Sequence, residues 1–223
     1  MGRNKFAVIG LGQFGSAIAR YLTQRGAEVV AIDLDEDKVE AIKDEVAYAV
    51  TLDSTDVRAL ESQKVQEMEA VVVAIGASFQ DLLLTTFVLQ ELNVKRIMAR
   101  AQGPVQRGIL EKMGIREILS PEDEVAHNVT STLINPSVLM SLQFPDEYEI
   151  VEVVAPSNIQ NRTLDDIGLR EKYQLNLVTL LRKEDNEYHI VGVPDGQTMI
   201  HTNDLVVVFG KRKNIDRFIQ INQ

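Results

Sequence analysis

The sequence predicts an α/β protein of 223 residues, a doubly wound parallel sheet followed by a small α+β C-terminal domain. Three observations carry that expectation. Short β-rich runs alternate with amphipathic stretches through residue 120, the pattern of strand–crossover–strand units. The runs Ala7-Val8-Ile9 and Val71-Val72-Val73-Ala74-Ile75 are continuously apolar, as in parallel strands covered on both faces. After Pro121 the rhythm breaks, and a strand-rich block begins near Tyr148.

In chain order, strands are expected over Phe6–Ile9, Val29–Asp33, Ala47–Thr51, Ala70–Ile75, Arg96–Arg100 and Glu117–Leu119. Helical stretches near 13–25, 36–44, 56–63, 80–92 and 104–113 lie between them, and right-handed crossovers then fix the topology. Glu122 to Leu133 reads as a further helix with Val125, Val129, Thr132 and Leu133 on one face. It stops before Pro136, because the residue ahead of a proline is pushed out of the helical region. The second block reads as strand (Tyr148–Ala155), helix (Leu164–Tyr173), strands (Asn176–Arg182, Tyr188–Val193, Leu205–Phe209) and helix (Asn214–Ile221). The expected division is therefore a first domain over 1–120, a helix and linker over 121–146, and a second domain over 147–223. So small a second domain has a marginal core, which a partner surface would complete.

Composition narrows the function. Apolar residues make up 45% and charged residues 25%, an ordinary globular balance. No cysteine is present, so disulfide and thiolate chemistry drop out. No run reaches the roughly 20 apolar residues that a membrane helix needs, and no secretory signal is expected. The net charge of −10 is shared by both halves without a basic run, which argues against a nucleic-acid partner.

The strongest motif is Gly10-Leu11-Gly12-Gln13-Phe14-Gly15, directly after a buried strand and directly before a helix. In a Rossmann-like turn, Gly10 permits the sharp bend, Gly12 lets backbone approach phosphates, and Gly15 packs helix against strand. The phosphates of an adenine nucleotide or dinucleotide then meet free N–H groups at a helix N-terminus. Asp33 ends the second strand, 18 residues beyond Gly15. Its carboxylate suits ribose hydroxyls and repels a 2′-phosphate, so NADP is disfavoured. Asp53-Ser54-Thr55 and Ile75-Gly76-Ala77-Ser78 follow later strands where the adenosine would lie, or else are ordinary capped loops.

Catalysis is not expected. His127, His189 and His201 are scattered without a carboxylate at ligand spacing, and no tyrosine has a lysine four residues on. No Ser-His-Asp order or Gly-x-Ser-x-Gly elbow stands out, and the second block brings no obvious polar cluster. Glu122-Asp123-Glu124, after Pro121, suits either a helix N-terminus or a cation site taking Ca²⁺, Mg²⁺ or Na⁺.

The ordered run GLGQFG, AID, VVVAIGA, ARAQ and ILSPEDEV resembles the nucleotide-binding half of RCK (KTN) proteins, with RTLDDIGLREKYQLNLVTLLR and NDLVVVFG resembling the RCK C-terminal domain. The likeness covers nearly the whole chain and is nearest to cytosolic regulatory subunits of bacterial Ktr and Trk potassium uptake systems. It implies homodimers assembled into an octameric ring, docked at the inner face of the membrane on an integral potassium transporter subunit. It also implies that ATP, ADP or NAD(H) in the Rossmann sites changes the shape of that ring. On the same likeness Gly10, Gly12, Gln13, Phe14, Gly15, Asp33, Asp53, Ser54, Ile75, Gly76, Ala77, Arg100 and Glu122 are the nucleotide-binding residues. Glu122 would hold the cation at a dimer interface, and the helix after Pro121 would cross to a neighbouring subunit. Arg170, Asn176 and Leu177 stand at spacing similar to where some relatives bind cyclic di-AMP, or else are a solvated helix end and ordinary core.

One position departs from that pattern. Ktr-type members commonly carry arginine where this chain has Gln13, and glutamine lacks the charge for a bidentate phosphate grip. Weaker discrimination of ATP from ADP, or a preference for a dinucleotide, is expected. The rival class is a small NAD-dependent oxidoreductase, which would need an acid–base residue facing a nicotinamide. A redox-sensing repressor would need a winged helix and a basic recognition helix, and neither is legible.

Overall fold

The computed structural model describes residues 4–223; Met1, Gly2 and Arg3, counted above in the first domain, lie outside the described residues. Two compact units divide at Asp123 and Glu124.

The first unit is built on six strands, β1 (Lys5–Ile9), β2 (Glu28–Asp33), β3 (Tyr48–Thr51), β4 (Ala70–Val73), β5 (Ile97–Arg100) and β6 (Glu117–Leu119). They pair in parallel in the order β3-β2-β1-β4-β5-β6. The order reverses between β1 and β4, which is where a doubly wound sheet opens a crevice beyond its strand ends. Five helices connect the strands: α1 (Gln13–Gln24), α2 (Glu36–Glu40), α3 (Val57–Ser62), α4 (Phe79–Glu91) and α5 (Gly103–Lys112). The continuous apolar runs are explained by burial on both faces. Ala7, Ile9, Val71 and Val73 pack into one core, while Val8, Ala31 and Val72 pack into the other. Three of the five helix starts are capped by a side chain. Asp35 accepts the Asp37 N–H to open α2, Asp56 accepts from Arg58 at α3, and Ser78 accepts from Asp81 at α4.

Helix α6 (Pro121–Ile134) begins at the edge of the first unit and ends just ahead of Pro136. The second unit continues with β7 (Val138–Gln143), β8 (Tyr148–Val154), β9 (Arg162–Thr163), α7 (Leu164–Ile167), α8 (Leu169–Tyr173), β10 (Asn176–Glu184), β11 (Glu187–Ile190), β12 (Met199–Ile200), β13 (Leu205–Lys211) and α9 (Arg212–Asn222). Five strands form an antiparallel sheet in the order β11-β10-β13-β8-β7, and β12 pairs with β9. Helix α9 closes the core with Ile215, Phe218 and Ile219, all buried.

Four local expectations change. The linker contains β7, whose short run mixes Ser141 and Gln143 with apolar residues and so carries no clean alternation; it pairs with β8. The helix expected over Leu164–Tyr173 is two helices, because Gly168 takes φ +65° between them and breaks the hydrogen-bond ladder. Strand β4 stops at Val73, which leaves Ile75 in the loop toward α4, and α2 ends at Glu40, short of residue 44.

Candidate functional site

The glycine turn is shaped by close contacts rather than by composition. Gly10 has φ +93°, and a Cβ placed there would lie 2.8 Å from the backbone nitrogen of Ile75. A Cβ on Gly15 would run into the Gly10 carbonyl, so α1 can meet β1 this tightly only with glycine at that position. At Gly12 the reverse holds: nothing lies within 4 Å of an added Cβ. Two glycines are thus required by the protein's own packing. The third leaves open space over the first turn of α1, where phosphates would meet free N–H groups.

Asp33 closes the turn from the β2 side. Its Oδ2 accepts the Leu11 N–H at 2.6 Å, and its Oδ1 accepts the Asp35 N–H at 2.9 Å. Lys38 stands 3.6 Å from Oδ1. The side chain is 11% exposed, so the carboxylate is held in place yet still reaches the crevice. Each oxygen keeps a second lone pair for a further donor.

A cavity of about 420 Å³ opens beyond the ends of β1, β2, β3 and β4. It brings together six of the residues singled out in the sequence, namely Gly10, Asp33, Asp53, Ser54, Ile75 and Ala77. The Asp53 carboxyl is held below its ordinary range, first by the Thr55 hydroxyl at 2.7 Å and then by the Thr55 N–H at 2.9 Å. Ser54 is buried, and its hydroxyl shares a 2.7 Å hydrogen bond with Thr85. That bond makes it a wall of the cavity more than a free ligand group. Thr55 and Ser78, which belong to the two loops singled out in the sequence, line it as well, while Lys38 and Asp81 were missed there. Ser78 also caps α4 by accepting the Asp81 N–H.

Gly12, Gln13, Phe14, Gly15, Gly76, Arg100 and Glu122 do not line that cavity. Four of them gather beside it. Arg100, the last residue of β5, donates from Nη2 to the Glu122 carboxylate and lies 5.8 Å from the Phe14 ring centroid. A side chain at Gly76 would run into the Arg100 guanidinium. The ion pair keeps the Glu122 carboxyl below its ordinary range, chiefly through the Arg100 hydrogen bond. The Nε of Arg100 is buried without a hydrogen-bond partner. Gln13, at the start of α1, is exposed. Among the described residues no three His, Cys, Asp or Glu side chains cluster to hold a metal ion, at Glu122 or elsewhere.

In the second unit Arg170, Asn176 and Leu177 line a single cleft of about 400 Å³ with Leu164, Pro194 and Gly196. Arg170 Nε donates to Asn176 Oδ1 at 3.1 Å. Polar clusters that sequence reasoning did not find also lie in this unit. Buried Asp204 accepts from Arg182 Nη2 at 2.9 Å and from the His201 N–H at 2.8 Å. Buried Glu149 accepts from Ser141 Oγ at 3.1 Å and Arg212 Nη1 at 3.4 Å. Their partners are far apart in sequence, so no local spacing could have shown them.

Among the described residues no helix is long and apolar enough to cross a membrane. Residues 6–121 match the TrkA-N domain family and residues 148–222 the TrkA-C domain family. Ktr system potassium uptake protein C of Bacillus subtilis (strain 168) is 36% identical over 216 residues, 97% of this chain and 96% of that protein. Two solved structures share the fold at lower identity. The GsuK RCK domain superposes with a TM-score of 0.68 at 16% identity, over 99% of this chain and 48% of that one. The GsuK channel bound to NAD gives a TM-score of 0.67 at 15% identity, over 99% and 39%. The chain thus spans about half the length of those solved chains or less.

Proposed function

The chain belongs to the family built from a TrkA-N and a TrkA-C domain, and from that premise we propose that it is a nucleotide-sensing regulatory subunit of a potassium uptake system. The observation that carries this reading is the glycine turn clamped by Asp33 over a cavity of nucleotide size, in a relative of a Ktr potassium uptake protein. The residues fit an adenine nucleotide. Gly12 leaves room at the α1 N-terminus, Asp33 presents lone pairs to a ribose, and the orphaned Nε of buried Arg100 lacks an acceptor. The solved GsuK channel bound to NAD supports a dinucleotide as one occupant, and GsuK bound to ADP a mononucleotide.

When bound, the nucleotide supplies phosphate charge and a ribose diol. Asp33 accepts from the ribose hydroxyls while Gly10 and Ile75 close the turn beneath them. Asp53, Ser54 and Ala77 form the walls that exclude water from the adenosine. Gln13, Phe14 and the free N–H groups after Gly12 face the phosphates. The role is binding rather than catalysis, and the work done is a population shift set by differential affinity for two ring shapes.

The same reading makes the protein a homodimer within an octameric ring, held at the inner membrane face by an integral potassium transporter, with no nucleic-acid partner. Glu122 takes a divalent or sodium ion only where a second subunit or phosphates add ligands, since no three candidate ligands cluster among the described residues. The cleft at Arg170, Asn176 and Leu177 is the place for cyclic di-AMP. Residues 1–120, 121–146 and 147–223 serve as sensor, connection and second ligand domain.

Isothermal titration with ADP, NAD⁺ and cyclic di-AMP tests the reading. Heat with an adenine nucleotide, lost in Gly12→Val, is expected. No heat with ADP, ATP, NAD⁺ or NADH would remove the sensor input, and turnover of NADH with a small carbonyl substrate would favour an oxidoreductase instead.

A further inference from the structure

We propose that Arg100 is an exchange latch. It holds the first turn of α6 through Glu122 when the site is empty, and it releases that turn when a ligand oxyanion takes the guanidinium. The inference rests on the nucleotide reading above and adds the device by which occupancy is reported.

Arg100 stands where β5 ends, and Glu122 is the second residue of α6, so their ion pair ties the strand end to the helix start. The side chain is only 17% exposed, whereas Glu122 is 53% exposed. The buried partner is therefore the one whose bonding must be completed, and the exposed carboxylate is the one water can stabilise alone. Completion is lacking, because Nε is buried with no acceptor. A guanidinium carries five N–H donors in a fixed fork, and an unmet buried donor is costly. Glu122 occupies one arm of the fork. No acceptor in the fold meets Nε.

The surroundings point to what would. The Phe14 ring of the glycine turn lies 5.8 Å from the guanidinium carbon, and the absence of a side chain at Gly76 is what makes room for the guanidinium. An oxyanion arriving at the Gly12 turn is thus beside a planar, partly bonded arginine. Phosphate matches that fork bidentately, which a single exposed carboxylate oxygen does not. Arg100 then trades Glu122 for phosphate oxygens. The Glu122 carboxylate, next to Asp123 and Glu124, loses its counter-charge and is freed for a cation or, where none is present, for solvent. A ligand without phosphate leaves the latch shut.

The test uses ADP and adenosine as probes on the full chain, in EDTA so that no divalent ion bridges Glu122. Glu122→Gln removes the competitor, and ADP should bind about three- to fivefold tighter while adenosine is unchanged, the range set by an exposed ion pair. Arg100→Gln should weaken ADP, spare adenosine, and erase the gain from Glu122→Gln in the double variant. Amide hydrogen exchange at residues 121–125 should quicken on adding ADP to the wild type, and should already be quick in unliganded Glu122→Gln. Unchanged or weaker ADP binding by Glu122→Gln, with wild-type binding intact, overturns the latch and leaves the nucleotide reading standing. Absence of binding by ADP and adenosine alike overturns both.

Discussion

Replacing Asp33 by alanine separates its two roles. In the unliganded protein the carboxylate accepts the Leu11 N–H at 2.6 Å and the Asp35 N–H at 2.9 Å. Leu11 is buried, so its amide loses an acceptor that water does not replace, whereas Asp35 is exposed and rehydrates. One lost hydrogen bond to a charged acceptor costs about 2 kcal/mol. At about 2–4 °C per kcal/mol for a chain of this size, the unliganded melting point should fall by about 4–8 °C. Ligand adds a second, independent quantity. At 100 times Kd, ADP or NAD⁺ stabilises the wild type by about 2.7 kcal/mol, a rise of about 5–11 °C. Losing two ribose hydrogen bonds to a carboxylate, about 3 kcal/mol, weakens binding roughly a hundredfold. The same ligand concentration then sits near Kd and adds only about 0.4 kcal/mol, a rise of about 1 °C. Thermal-shift scans with ATP, ADP, NAD⁺ and NADH on both proteins read these numbers. If Asp33→Ala melts lower yet keeps the full ligand shift, Asp33 is a clamp for the turn and not the ribose acceptor. A wild type that no adenine nucleotide stabilises would refute the site.

Further expectations follow from the same geometry. Gly12→Ala should leave stability nearly unchanged while weakening ADP in titration; Gly10→Ala, at φ +93° and against the Ile75 backbone, should cost about 3 kcal/mol in chemical denaturation. Gln13→Arg should sharpen the preference for ATP over ADP, and equal or better discrimination by the Gln13 protein removes that idea. Asp204→Ala strands Arg182 and the His201 N–H around a buried position, a loss of about 3 kcal/mol, and Arg182→Met with Asp204→Leu should lose less than the single variant. Thr55→Ala should raise the Asp53 titration toward the ordinary carboxylate value, followed by carboxyl NMR. Because the folded-state value is lowered, the stabilisation is complete above the unfolded range and is lost as pH falls through the folded value, so the two proteins converge in acid.

The parallel strands, their burial on both faces and the position of the glycine turn were legible because they depend on local patterns. Ala7-Val8-Ile9 must be buried on both sides, and only glycine at 10 and 15 lets α1 sit so close to β1. The aspartate at the end of β2 was legible as well, since a strand–helix–strand unit with parallel strands brings the end of β2 beside the glycine turn. The chain by itself therefore determined the parallel fold, the crevice, and the chemistry of its first wall. Tertiary structure decided what depends on residues remote in sequence. It paired β7 with β8, where a short strand with mixed polarity carries no period of its own. It broke the 164–173 helix at Gly168 and buried Glu149 and Asp204 among partners from other elements. It also put Arg100 against Phe14 and Glu122. Periodicity reports which face a residue turns to the core, but only the closed fold sets which charges meet there, because Coulombic and hydrogen-bond pairing depend on distance in space.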